Sequence, residues 1–178
     1  MNPRAAALVL CLAFAVTSPA ISERRPSETG DEVLAPFPFT PESIRAFNTP
    51  GTVITMEARN GGDRRIVTIR WTDADEESGE FEETSVDAAT SGLSRATIRR
   101  TWVELQHHAS YPIDKTTIQP ARLHTAAGEF DCQLYEVETS EGVERYWFAK
   151  QAPGLPVRTE VELGGRLTRS IEVVSIEH

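Results

Sequence analysis

A lone cysteine beyond the first apolar run, two adjacent histidines and a stretch of seven carboxylates are the residues with the most chemistry to offer. Cys132 stands in GEFDCQL, between Phe130 and Leu134 at strand period. That spacing predicts a small buried side chain. A reactive thiol needs exposure and a basic neighbour, and Asp131 beside it acts in the opposite sense. His107 and His108 fall on a predicted helix, where successive side chains diverge by about 100°. With His124 and Cys132 they match no zinc-ligand spacing, and the expectation is one exposed histidine and one packed on a helix–sheet seam. Asp73, Asp75 and Glu77 occupy the first, third and fifth places of a calcium loop. Ser78 and Thr84 stand where the glycine and the bidentate glutamate belong, so the run Asp73 to Glu83 reads as a solvated hairpin tip. The chain has no nucleophile elbow, phosphate loop or HExxH. No cofactor and no metal are expected, and the chain reads as a non-enzyme.

The elements that would hold these residues are mostly strands. FTPESIRAF opens with an N-cap at Thr40 and Pro41 at the first helical position, which predicts a helix of about two turns. From Gly51 the apolar period changes to two. Ile54, Met56 and Ala58 share one face, NGGD makes a hairpin, and Val67, Ile69 and Trp71 return on one face. A third strand is expected over Glu80 to Val86, with a loop over Ala88 to Ser94. Thr101 and Glu104 form a capping-box pattern, predicting a second short helix over Trp102 to Ala109. Turns at Gly128, Ser140 to Gly142, Ala152 to Pro156 and Gly164-Gly165 divide the remainder into strands. Phe130, Cys132 and Leu134 point inward on one of them, and Val157, Thr159, Val161 and Leu163 share a face on another. The total is about eight strands in hairpin order. The fold class is mainly β: an antiparallel meander forming a curved sheet or small half-barrel with two short helices.

Residues 1–20 read as a signal peptide. A basic n-region precedes the apolar AAALVLCLAFAV, which is too short to span a bilayer, and TSPA supplies small residues for cleavage. The alternative is a retained anchor. Residues 21–38 have the composition of a flexible leader, and 39–178 read as a single β-rich domain. The product would be exported, periplasmic or secreted, with no transmembrane segment after cleavage. The full chain's net charge of −9 excludes a nucleic-acid backbone as a natural partner. Cleavage leaves Cys132 without an intramolecular disulfide partner.

Ile118 to Val174 resembles the closing strands of exported bacterial β-rich proteins of the domain-of-unknown-function type. The shared places are Ala127-Gly128-Glu129-Phe130-Asp131-Cys132, Tyr146-Trp147-Phe148-Ala149 and Gly154-Leu155-Pro156-Val157. Those proteins look like the lipoprotein-carrier (LolA/LolB-like) half-barrel group. The resemblance implies a half-barrel and supplies no catalytic residue. The leading expectation is a non-enzymatic binding domain that holds an apolar small molecule or an envelope protein on a concave face. Ile54, Met56, Val67, Ile69, Trp71, Phe130 and Leu134 are the candidate lining. The alternatives are a structural or interaction module with a filled core, and an unrecognised hydrolase.

Overall fold

The computed structural model describes residues 33–178. The expected signal peptide and most of the expected leader lie outside the described residues. Among the described residues nine antiparallel strands form one open sheet. They are β1 (Val53–Asn60), β2 (Asp63–Ala74), β3 (Ser78–Asp87), β4 (Leu93–Thr101), β5 (Thr116–Thr125), β6 (Gly128–Glu138), β7 (Gly142–Ala149), β8 (Arg158–Leu163) and β9 (Arg166–Glu177). Two short helices accompany them, α1 (Pro41–Phe47) and α2 (Trp102–His107). This is the expected class.

The additional strand is β4, whose start falls in the loop expected over Ala88 to Ser94. On the open edge of the sheet it buries little, so LSRATIRRT carries no clean apolar period. Both helices form where expected, because local capping decides them. Thr40 accepts from the Ser43 amide while Ser43 caps in return, and Thr101 and Glu104 do the same for α2.

The strand order β4-β3-β2-β1-β9-β8-β7-β6-β5 places the first and last strands side by side in the middle. The two edges, β4 and β5, are consecutive in sequence. Their connection, α2 followed by residues 108–115, therefore has to cross the sheet, and it crosses on one face. That face is fixed by the Trp71–Trp102 ring contact, with centroids 5.6 Å apart.

Residues paired directly across a ladder share a face. By that rule Ile54, Met56, Val67, Ile69, Trp71 and Phe81 lie on the covered, inner face, together with Val173, Thr159, Val161, Tyr146, Phe148, Tyr135 and Val137. The outer face carries ion pairs such as Arg145 with Glu136 and Glu162, and Arg158 with Glu172. Phe130, Cys132 and Leu134 have outer-face parity, contrary to the inward direction expected of them. Phe130 and Cys132 are nevertheless buried. The tip of the β5–β6 hairpin overhangs the end of β7, whose ladder with β6 reaches only Cys132 and Ala149. It bends far enough for β5 to touch β9 across three intervening strands. Leu163 keeps the face of Thr159 and Val161, pairing with Gly142 as they pair with Tyr146 and Glu144, but it is exposed where β8 ends.

Candidate functional site

The seven residues expected to line a concave face fall into two groups. Ile54, Met56, Val67, Ile69 and Trp71 do come together on the inner face, but they are buried in a core completed by Phe81, by Trp102 and Leu105 of α2 and by Ile44 of α1. The packing is tight: a Cβ on Gly79 would stand 2.4 Å from Trp102 and 2.5 Å from Trp71. Phe130 joins the same core from the bent hairpin tip, and Leu134 is half-buried beside its ladder partner Trp147.

A cavity of about 310 Å³ opens elsewhere on the inner face, and none of those seven residues lines it. Three segments build it. Glu144, Tyr146 and Phe148 are alternate residues of β7, so all three point inward. The arm after α2 contributes His108, Ala109, Ser110 and Tyr111. The corner between β7 and β8 contributes Gly154, Leu155 and Pro156.

Each segment is held by contacts distant in sequence. The corner sits on α1: Asn48 Nδ2 donates to the Pro153 carbonyl at 3.2 Å and to Ile44 at 2.8 Å. Gly154 has φ +119° and approaches Asn48 so closely that a Cβ would meet Nδ2 at 3.0 Å, so only glycine suits this place. The arm is pinned by residues 33–39, most of which composition assigns to the leader. Ala35 N–H donates to the Tyr111 carbonyl at 2.8 Å, and Ile113 N–H donates to Val33 at 2.9 Å. The Tyr135 hydroxyl donates to the Pro36 carbonyl at 2.8 Å, and Gln106 donates to Phe39. This stretch is ordered because Ala35 and Phe39 enter a second apolar cluster with Ala109, Tyr135, Val137, Tyr146 and Phe148.

The cavity wall is aromatic with one carboxylate. Tyr111 stacks on Tyr146 with centroids 4.9 Å apart and planes 27° from parallel, and Phe148 meets Tyr135 edge-on at 5.2 Å. The Tyr146 hydroxyl donates to Glu144, and the two stacked phenols also hydrogen-bond. Burial raises the pKa of both phenols, with Glu144 adding to the rise, so neither ionises near neutral pH. Partial covering of its ring, and then Arg100, lower the pKa of His108. Glu144 is half-buried. Among the described residues no ion pair includes it, and no lysine or arginine lines the cavity.

The other chemistry-bearing residues do not converge here. Cys132 is buried, and burial together with Asp131 pushes its thiol up to about 11, so the thiolate is scarce at neutral pH. His107 stacks on Phe37 at 5.3 Å; it and His108 are both exposed, so neither packs on the expected seam. Of the acidic run, Asp73 and Asp75 pair with Arg99 of β4, and Asp75 also accepts from the amides of Glu77 and Ser78. Those bonds hold the Asp75 carboxyl below its usual range. Glu83 is the exception. It points to the inner face opposite Ile69 and Ala96, is 5% exposed, and one of its oxygens has no hydrogen-bond partner. Burial pushes its pKa up. No group of three His, Cys, Asp or Glu among the described residues could hold a metal ion.

Sequence reasoning missed Tyr111, Glu144, Tyr146 and Phe148. The signal available was the strand period of Glu144, Tyr146 and Phe148 beside the Pro153-Gly154 corner. What was not available was the position of Tyr111, which depends on a crossover between opposite edges of the sheet.

No protein-family model matches the chain, and no curated protein matches it in sequence. Its fold is similar to that of MucB. Against the crystal structure of MucB in complex with MucA(peri), the match covers 76% of this chain and 53% of that chain, with a TM-score of 0.53 and 9% identity. Against the crystal structure of MucB the figures are 76%, 56%, 0.50 and 8%. The chain thus spans little more than half the length of the chains it resembles, and at these identities the likeness is one of fold alone.

Proposed function

We propose that this chain is an exported, non-enzymatic binding domain, and that a protein segment is what its inner-face cleft receives. The observation that carries this reading is the cleft between the arm and the corner. It is the place where the inner face keeps a cavity, while the face expected to take an apolar molecule is filled by the chain's own Trp102, Leu105 and Ile44. At about 310 Å³ the cavity stands at the small end of ligand pockets, enough for one or two side chains and little more. The fold similarity to MucB, solved in complex with MucA(peri), supports a protein partner. Export is supported by the apolar N-terminal run and small residues after it, and by the resemblance of the closing strands to exported carrier-like domains. Among the described residues no helix is long and apolar enough to cross a membrane.

The test is site-specific photo-cross-linking in the native host. A photoreactive residue at Leu155, in the cleft, is compared with one at Leu167, exposed on β9. The expected result is a cross-link from Leu155 and not from Leu167 to one defined protein, reproduced with the two purified components. Failure of Leu155 to cross-link, together with a stoichiometric acyl chain in native mass spectra of the purified protein, would overturn the reading in favour of an apolar ligand.

A further inference from the structure

We infer that the cleft is a receptor for an arginine side chain, presented by an extended segment of the partner protein. This rests on the binding-domain reading above and gives it a chemistry.

The walls define the ligand. Tyr111, stacked on the buried Tyr146, lines the cavity with aromatic surface, and Leu155 and Pro156 add apolar surface to the same lining. Such a lining suits a flat, weakly hydrated group on an aliphatic stem. A guanidinium is planar, stacks on tyrosine and sheds water more easily than an ammonium. Glu144 supplies the charge. It is half-buried in the wall, and the Tyr146 hydroxyl occupies one position on it. A carboxylate accepts several hydrogen bonds, so capacity remains for a bidentate donor. Elsewhere on β6 and β8 the carboxylates facing arginines are already matched: Glu136 and Glu162 with Arg145, Glu160 with Arg158. Glu144, on the inner face, is in none of these pairs, and among the described residues no lysine or arginine lines its cavity. The wider field agrees, because a net charge of −9 draws a basic segment toward the protein and repels an acidic one. An anionic ligand would meet Glu144 with no compensating cation. A purely aliphatic one would leave Glu144 desolvated without a partner.

The experiment uses the whole exported chain and two short capped peptides. One carries a central arginine and the other citrulline, its neutral isostere. Binding is followed by chemical shifts of Tyr111, Tyr146 and Leu155. The expected result is saturable binding of the arginine peptide at these residues, at least about tenfold weaker binding of the citrulline peptide, and loss of that difference in Glu144→Gln. Equal affinity of the two peptides for the unaltered protein would overturn the inference, and so would absence of shifts at these residues up to about 10 mM peptide. The peptide comparison on the unaltered chain does not depend on how the variant folds. Absence of any arginine preference in the unaltered protein, with its Leu155 cross-link to the partner still present, would end this inference and leave the binding-domain reading standing. A free guanidinium such as N-acetyl-arginine amide binding more tightly than the peptide would also overturn it, since the ligand would then be a small molecule.

Discussion

The inner face of one sheet is treated in two ways. Over β1, β2 and β3 the crossing chain lays down Trp102 and Leu105, which meet Trp71 and Phe81 and leave no room even at Gly79 for a methyl group. Over β6 and β7 the same crossing chain offers Ala109 and Ser110, and a cavity remains beneath the Tyr111–Tyr146 stack. The sheet continues unbroken between the two regions, so curvature alone does not decide between core and cleft. The volume of the side chains carried across it does. A large residue on the crossover completes the first region as interior. A small one leaves the second as a recess whose polar groups, Glu144 foremost, face an unfilled space.

The first way to break this comparison is to hollow out the filled half. Trp71→Ala should cost about 3–5 kcal/mol, the usual penalty for removing a buried aromatic from a packed core. Urea unfolding would measure it. A cost below about 1 kcal/mol would mean that the first region is as loosely filled as the second.

A smaller effect is expected at Glu83, which shares with the Trp71 indole N–H the position of a buried polar group of the filled half without a full set of partners. Its pKa is raised by burial above the ordinary 4.5, so the folded state holds this proton more tightly than the unfolded chain does. Stability from this source is therefore fully present below pH 4.5 and declines as pH rises through the folded pKa. Glu83→Gln should match the parent below pH 4.5 and exceed it by about 1 kcal/mol at pH 7. Unfolding curves across that range would show it. A parent protein whose stability rises through the same window relative to the variant would place the carboxylate in a favourable site instead.

The smallest effect belongs to the cleft. Tyr111→Phe keeps the stacked ring and removes one hydroxyl from a wall that already faces open space. A loss of about 0.5–1 kcal/mol is expected, with the shape of the cavity unchanged. A loss as large as that of Trp71→Ala would show that the phenol pair is structural core and not the rim of a recess.

Local chemistry in the sequence was enough for much of this molecule. Capping at Thr40 and Thr101 is decided within four residues, so both helices were legible. The Gly61-Gly62 and Gly164-Gly165 hairpins were legible for the same reason. The alternation of Ile54 and Met56 with Val67, Ile69 and Trp71 named one face correctly, because a two-residue hairpin fixes the register of both its strands. Strand β4 escaped because an edge strand buries too little to carry a period.

Three features were decided only in the tertiary structure. Strands β4 and β5 stand at opposite edges, so whatever joins them must cross the inner face, and no local signal announces that route. The direction of Phe130, Cys132 and Leu134 follows from pairing carried through four ladders, and their burial from the bend of a hairpin tip that reaches β9. The cleft is made by an arm, a strand and a corner that meet only when Val33 to Phe39 clamp the arm and Asn48 holds the corner. Period and capping are properties of neighbours along the chain, whereas a cavity is a property of what fails to fill the space between distant segments. Sequence determines the first directly. It determines the second only through the whole packing.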